Sequence, residues 1–287
     1  MTQSGSRKPT IAIVGAGSLG SALAVALLTA GYEVAQIVSR DRVSSRRRAQ
    51  QLARRVGGRA TVFASFDRKV DLAWLCVPDR EIGNCARSLA SGGEWNGRVA
   101  LHSSGVLTSA ALAALRGRGA AVASLHPMMT FVPGEPPALA GVPFAVEGDA
   151  SAVRTARQIV TDLGGNAFNV SPTRKAAYHA WGSFASPLLI STLVMAEQVA
   201  GRAGIPRTAA RKMMGPILHQ TLANYAKYGP AGAFSGPIVR GDAATLEKHL
   251  KILRALPEAK AVYLALSRSA AKNLPAKNKS QLLKVLT

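Results

Sequence analysis

The N-terminal part of the chain alternates between two hydrophobic patterns. Short continuous apolar runs, typical of buried strands, are separated by stretches whose apolar residues recur at the spacing of a helix face. This alternation predicts an α/β fold with a doubly wound parallel sheet. The predicted strands are 10–14, 33–38, 60–63, 71–77, 98–102, 120–125, 143–147 and 166–170, and the predicted helices are 18–30, 43–56, 80–91, 108–117 and 150–163.

From residue 173 onward the pattern is helical almost throughout, with glycine and proline residues between the helical stretches. It predicts an all-α second domain with helical segments at 173–202, 206–227, 242–255 and 258–272. The basic segment 272–284 is predicted as either a final helix or a tail.

The chain passes from the first predicted strand into the first predicted helix through a G-x-G-x-x-G sequence. Glycines at these positions allow a tight turn, close approach of the backbone to a pyrophosphate, and close packing of the helix on the strand. The helix then directs its N-terminal N–H groups at the phosphates. We therefore predict a dinucleotide site formed by Gly15, Gly17, Ser18, Leu19 and Gly20.

The end of the second strand predicts which dinucleotide binds. Folds that bind NAD usually carry an acidic residue here for the ribose 2′-hydroxyl, whereas Ser39 and Arg40 occupy the expected position. A hydroxyl and a permanently charged guanidinium suit a 2′-phosphate. NADP is therefore the expected cofactor, and NAD stays an alternative because Asp41 follows directly.

Polar residues recur where three later strands end, which is where ligands bind in open α/β sheets. Together they predict a site for a small substrate beside the nicotinamide. The residues are Val77, Pro78 and Asp79 on the cofactor side, Ser103 and Ser104 as substrate-binding residues, and His126.

Two further segments carry candidate chemistry. Lys175 and His179 share one face of a helix at the start of the second predicted domain, with Tyr178 beside them as a predicted substrate-binding residue. A lysine or histidine facing a nicotinamide can carry the proton that accompanies hydride transfer. Arg240 lies in a glycine-punctuated loop, where it can hold an anionic substrate group, while Asp242 is a natural helix N-cap.

Charge and composition limit the other function classes. The 287 residues carry a formal net charge of +21, which attracts polyanions. The basic residues are dispersed and aromatic residues make up only 5%, so no stacking surface for bases is evident and a nucleic-acid partner is not favoured. The two cysteines, Cys76 and Cys85, suggest neither a disulfide framework nor a metal site.

Residues 1–9 are polar and basic without the apolar core of a signal peptide, so a cytoplasmic protein is expected. The longest uncharged run, 180–196, falls at the short limit for crossing a bilayer and includes Pro187. We expect it to be a helix buried either in a core or in a homodimer interface.

Taken in order, these motifs resemble a bacterial family of short-subunit dehydrogenase-like oxidoreductases. Its members have an N-terminal Rossmann-like domain and a C-terminal helical domain of unknown function, and the resemblance runs from about residue 10 to about residue 270. One departure is Pro187, where the family usually has asparagine. The motifs that carry the resemblance are 15–20, 77–79, 102–105, 126–128, 178–180 and 236–242.

The architecture is more distantly similar to 6-phosphogluconate dehydrogenase, pyrroline-5-carboxylate reductase, deazaflavin-dependent NADP reductases and prephenate dehydrogenase. This similarity implies a C-terminal domain like that of 6-phosphogluconate dehydrogenase. It also implies that His126 is the general acid/base, supported by Ser103 or Ser104, and that Lys175 is the next candidate, with His179 after it.

The combined prediction is an NADP-dependent oxidoreductase that transfers a hydride to or from a small, anionic carbonyl, hydroxyl or imine compound between two domains. The alternatives are an NADP-binding protein without catalysis and, less favoured, a basic nucleic-acid-binding protein. The predicted segments are a flexible basic tail at 1–9, a Rossmann domain at 10–171, and a helical substrate and dimerisation domain at 172–287.

Overall fold

A computed structural model describes residues 7–287 and contains an eight-stranded sheet in the order β3-β2-β1-β4-β5-β6-β7-β8. Of the predicted tail, residues 1–6 lie outside the described part, while Arg7 and Lys8 form ion pairs with Asp71 and Asp162. The strands are β1 Ile11–Val14, β2 Val34–Ser39, β3 Arg59–Val62, β4 Leu72–Leu75, β5 Val99–His102, β6 Ala121–Pro127, β7 Pro143–Gly148 and β8 Asn166–Asn169.

The helices follow the predicted spacing, with one break inside a stretch that was predicted as a single helical segment. The long stretch predicted over 173–202 divides at Ser186, because Pro187 begins a new helix. The basic segment near the C-terminus ends in a helix. The helices are α1 Ser18–Thr29, α2 Val43–Val56, α3 Asp79–Ala90, α4 Ala113–Arg116, α5 Ala150–Asp162, α6 Lys175–Ala185, α7 Pro187–Arg202, α8 Arg207–Ala233, α9 Pro237–Arg240, α10 Ala243–Leu253, α11 Pro257–Asn273 and α12 Lys279–Val285.

The sheet is mainly parallel, and one neighbouring pair of strands corrects the all-parallel expectation. Strand β7 runs antiparallel to β6, and β8 then runs parallel to β7. A parallel crossover needs a long connection, usually a helix, to bring the chain back to the starting edge. The segment from Met128 to Val142 contains no helix, so the chain returns alongside β6 in the opposite direction.

Apolar side chains cover both faces of the sheet. Because side chains alternate along a strand, Ile11 and Ile13 face one core cluster while Ala12 and Val14 face the other. The large buried side chains divide in the same way, with Trp74 in the first cluster and Trp95 in the second. Burial on both faces explains why the strands are continuous apolar runs rather than alternating ones.

The chain forms two compact units, which divide between Ser183 and Phe184. The unit Phe184–Thr287 has a small apolar core centred on Leu246, Ala271 and Leu282. Helix α12 contributes Leu282 to it, so the basic C-terminal segment is part of a folded unit. The functional domain boundary between 171 and 172 stays a prediction.

One segment of the described residues, Pro172–Arg202, is long and apolar enough to cross a membrane by length and composition alone. Only 6% of its most apolar stretch is buried. Burial in the core of its own chain, one of two alternatives expected for 180–196, is therefore wrong. The other alternative, an interface between copies, stays a prediction.

Candidate functional site

The glycine loop at 15–20 has the geometry that a dinucleotide site needs. Gly15 has φ of +108°, and a Cβ there would lie 2.5 Å from the carbonyl oxygen of Cys76. A Cβ on Gly20 would overlap the carbonyl oxygen of Gly15, while one on Gly17 would meet nothing within 4 Å. Packing thus requires glycine at positions 15 and 20, while Gly17 leaves free space at the N-terminus of α1. Ser18 and Leu19 form the first turn of that helix.

A cleft of about 240 Å³ extends from this loop along the end of β2. Ser39 and Arg40 line it, together with Ser45 and Arg48 from α2. Asp41 is not among the lining residues, and its carboxylate forms an ion pair with Arg46. Hydroxyl and guanidinium groups therefore line the cleft near the end of β2. The nearby carboxylate of Asp41 is instead paired with Arg46.

A second cleft of about 340 Å³ lies over Gly17 and Ser18 and is bounded by the segment 131–137. Arg48 lines both clefts, and Arg55 lines the second. These two residues are seven apart on α2 and so share a helix face. The sequence analysis did not assign Arg55 a role, although its seven-residue spacing from Arg48 was a usable signal.

The donor set of the two clefts fits a dinucleotide phosphate. A helix N-terminus at a glycine loop and two arginines surround the space over Gly17, where a pyrophosphate would need positive charge. Hydroxyls and Arg40 surround the end of β2, where a 2′-phosphate would lie. Val77 and Pro78, predicted as cofactor-binding residues, line the same first cleft.

His102, at the end of β5, shapes the loop that follows it. Its Nδ1 accepts the N–H of Ser104 at 3.1 Å, so the hydrogen must be on Nε2, which donates to the carbonyl of Thr108 at 3.0 Å. Burial lowers the pKa of His102 to about 4. The ring is therefore a neutral, fully paired part of the scaffold.

Ser103 and Ser104 are both buried and both have protein partners. The hydroxyl of Ser103 accepts the indole N–H of Trp74 at 2.8 Å. The hydroxyl of Ser104 donates to Asp79 at 2.8 Å and accepts the backbone N–H groups of Val106 and Leu107. These bonds connect the loop after β5 to the start of α3.

Lys175 lies in a cluster of buried polar groups, which we call the Lys175 network: Lys175, Ser104, Ser124 and Glu147. Only 2% of Lys175 is exposed. Its ammonium donates to the carbonyl of Ser104 at 3.1 Å and to the hydroxyl of Ser124, and lies 3.8 Å from Glu147. Burial lowers the pKa of Lys175 while Glu147 opposes that shift. The ammonium thus joins the start of α6 to the loop after β5 and to the neighbouring strands β6 and β7.

A second cluster, the His126 cluster, consists of Gly105, His126, Tyr178 and His179. The Nδ1 of His126 is hydrogen-bonded to the hydroxyl of Tyr178 at 2.7 Å. The rings of His126 and His179 lie 6.2 Å apart, and a Cβ on Gly105 would fall 2.9 Å from Nε2 of His126. Three segments predicted separately therefore meet at one place, and Gly105 leaves the space for them.

Burial sets the protonation of this cluster. It lowers the pKa of His126 to about 4, and the neighbouring His179 and Lys175 act in the same direction. Burial also raises the pKa of Tyr178 to about 12. At neutral pH the cluster thus holds a neutral imidazole hydrogen-bonded to a neutral phenol, an arrangement able to pass a proton.

The remaining predicted residue, Arg240, belongs to the second compact unit. It ends the short helix α9, between Gly236 and Gly241, whose φ angles are +102° and +71°. Asp242 caps the next helix by accepting the N–H of Thr245 at 3.0 Å, as its sequence position suggested.

Comparison with known proteins agrees with this architecture. Residues 2–127 match the model of a Rossmann-like domain, and residues 142–270 match that of DUF2520, a domain of unknown function. A comparison with curated protein sequences gives no significant match.

Among solved structures, the chain is similar to BF3122 from Bacteroides fragilis, provisionally assigned as an NADP oxidoreductase, at 22% identity over 91% of this chain and 97% of that one, with a TM-score of 0.77. TM1727 from Thermotoga maritima is 21% identical over 96% of this chain and 98% of that one, with a TM-score of 0.70. An imine reductase from Pseudomonas sp. is 21% identical over 98% of this chain and 100% of that one, with a TM-score of 0.64. The predicted fold, a Rossmann-type sheet followed by a helical region, is confirmed.

Removing the ammonium of Lys175 is expected to destabilise the first compact unit. Lys175→Met leaves the carbonyl of Ser104 and the buried Glu147 without their cation, which costs about 3 kcal/mol in unfolding free energy. Tryptophan fluorescence during urea unfolding reports this unit, since Trp74, Trp95 and Trp181 all lie in it. Lys69→Met, at an exposed lysine, is the matched control. An unchanged midpoint for Lys175→Met would contradict the role of the network.

Proposed function

We propose that the protein is an NADP(H)-dependent oxidoreductase acting on a small carbonyl, hydroxyl or imine compound. The observation that carries this proposal is the pair of adjoining clefts, where the glycine loop, Ser39, Arg40 and Arg48 combine anion-binding groups. We also propose that it belongs with the short-subunit dehydrogenase-like oxidoreductases, on the order of its motifs.

The choice of NADP over NAD is supported by the charges at the end of β2. Arg40 lines the cleft, whereas Asp41 is paired with Arg46 and is not among its lining residues. An imine reductase from Myxococcus stipitatus with a similar fold, at 17% identity and a TM-score of 0.64, was solved with NADP+. A variant of that enzyme was solved with NAD+, so NAD stays the alternative.

The His126 cluster supplies the proton chemistry of the proposed reaction. When bound, the nicotinamide would supply or receive the hydride. His126 is the first candidate to exchange the accompanying proton with the substrate. Its Nδ1 is hydrogen-bonded to Tyr178, whereas its Nε2 has no hydrogen-bond partner among the described residues. Tyr178 orients the imidazole and can share its proton, and His179 forms the exposed side of the cluster.

Lys175 takes a different role in this proposal from the one its sequence position suggests. Its ammonium is 2% exposed and is occupied by Ser104, Ser124 and Glu147. A group so enclosed is a poor proton carrier for a substrate. We assign it to positioning, because it holds the loop that ends at Gly105 against the strand that carries His126.

The substrate class rests on the neutral imidazole of His126, and the role of Arg240 rests on its sequence position. A neutral imidazole with a depressed pKa suits proton exchange with a carbonyl or imine. Arg240 is the candidate for holding an anionic group of the substrate, since a guanidinium binds carboxylate bidentately.

We also propose that two copies of the chain associate through helices α7 and α8. Both helices expose large apolar side chains, whereas soluble monomers rarely leave such surfaces open to water. Among the described residues, the small apolar core of the second unit, centred on Leu246, Ala271 and Leu282, does not include these side chains. The exposed side chains are Leu188, Ile190, Val194, Met213, Ile217, Leu222, Tyr225 and Tyr228.

Binding of NADPH and NADH tests the cofactor assignment. We expect NADPH to bind at least tenfold more tightly, and Arg40→Ala to weaken NADPH binding by about tenfold, or about 1.4 kcal/mol, while leaving NADH binding unchanged. Isothermal titration calorimetry gives both constants, with Arg47→Ala, at an exposed arginine on α2, as the control. Equal binding of the two nucleotides, unaffected by Arg40→Ala, would mean that the assignment is wrong.

Removing the imidazole of His126 tests its proposed role as the acid/base. A panel of cyclic imines and 2-oxo acids with NADPH should contain a substrate, and His126→Ala should lower kcat/KM by about 10²-fold or more. His249→Ala is the matched control, because His249 also bonds a tyrosine hydroxyl, that of Tyr263 at 2.9 Å, in the other unit. Retention of activity within a few-fold would exclude His126 as the acid/base. NADPH binding without turnover of any compound would favour the noncatalytic alternative.

The oligomeric state tests the proposed interface. Light scattering at micromolar concentration should give a dimer, and the double change Ile190→Glu and Ile217→Glu should give a monomer, because two carboxylates cannot be buried unpaired in an apolar interface. Ile252→Glu, at an exposed isoleucine on α10, should leave the dimer intact. A monomeric wild-type protein would rule the interface out.

A further inference from the structure

The cleft beside Ser39 and Arg40 contains a side chain that neither the fold nor the proposed reaction explains. Glu81 is the one acidic residue among the described residues that line it. It lies in the first turn of α3, and its side chain is 29% exposed. The lining around it is mostly apolar and includes Phe63, Cys76, Val77 and Cys85.

Among the described residues, none of the arginines that line this cleft lies within 4.0 Å of the carboxylate of Glu81. The Nε of its neighbour Arg80 lies 3.6 Å away on a side chain that is 84% exposed. Burial raises the pKa of Cys85 to about 11, Glu81 raises it further, and Arg40 opposes the shift. Glu81, Arg40 and Cys85 all line this cleft.

An ionised carboxylate accepts hydrogen bonds and donates none, and it repels phosphate. The other polar side chains that line this cleft carry hydroxyls and guanidinium groups, which suit phosphates, so the carboxylate of Glu81 suits a hydrogen-bond donor on the ligand. The adenosine end of the proposed cofactor offers two kinds of donor, the exocyclic amine of the base and the ribose hydroxyl. The apolar lining suits the flat base, and a guanidinium such as that of Arg40 can stack on it.

We propose that Glu81 accepts a hydrogen bond from the exocyclic amine of adenine and makes the site select adenine over a 6-oxo purine. The inference rests on the proposed function, because it assumes that this cleft holds the adenosine of NADP. A 6-oxo purine presents an acceptor oxygen where adenine presents the amine, so the carboxylate and that oxygen would repel each other.

Calorimetric titration of the whole protein with NADPH and with its hypoxanthine analogue tests the proposal by binding alone. The wild-type protein should bind NADPH at least tenfold more tightly than the analogue. Glu81→Gln should weaken NADPH binding by about fivefold, since a charge-assisted bond becomes a neutral one, and should strengthen binding of the analogue, since the amide can donate to its oxygen. Glu94→Gln, at an exposed glutamate, should change neither constant.

Two results would overturn the proposal while leaving the cofactor assignment intact. Equal binding of NADPH and the analogue, unaffected by Glu81→Gln, would mean that Glu81 only stabilises the N-terminus of α3. Weaker binding of both nucleotides to Glu81→Gln by the same factor would mean that it contacts the ribose. Failure of the wild-type protein to bind either nucleotide would instead overturn the proposed function itself.

Discussion

The buried ammonium group of Lys175 is the contact on which the proposed reaction site depends. Its positive charge can stay in the interior only because Glu147, Ser124 and the carbonyl of Ser104 surround it. These partners belong to β7, to β6 and to the loop that follows β5. The same helix that supplies the ammonium carries Tyr178 one turn later, so the requirement to pair the buried charge also sets where the phenol meets His126.

Two electrostatic environments follow from the fold. Around the glycine loop and the end of β2, arginines on α2 face open clefts, where anionic phosphates can replace water around them. At the ends of β5 and β6, burial keeps both His102 and His126 neutral. The charged groups that suit a polyanion are thus separate from the neutral imidazole of His126, which suits the proposed proton exchange at neutral pH.

Predictions from sequence succeeded where local pattern and backbone chemistry dominate. The strands, most helices and the glycine loop follow from hydrophobic period and from the conformations that only glycine adopts. They failed where partners distant in sequence decide. The direction of β7 depends on a connection without a helix, and the exposure of α7 depends on what packs around it. The sequence around Lys175 fits an exposed helix position equally well. Only its contacts with Glu147 and the neighbouring strands explain its burial.

The sequence by itself determined the order of strands and helices, the glycine loop and the residue types at the end of β2, because these depend on neighbours in the chain. The tertiary structure decided which polar residues are structural and which are available. His102, Ser103, Ser104 and Lys175 all carry reactive groups, yet burial and hydrogen bonds occupy them, whereas His126 keeps one free nitrogen beside His179. The physical reason is that a polar group's reactivity depends on its solvation and its partners, and both are settled by residues far away in sequence.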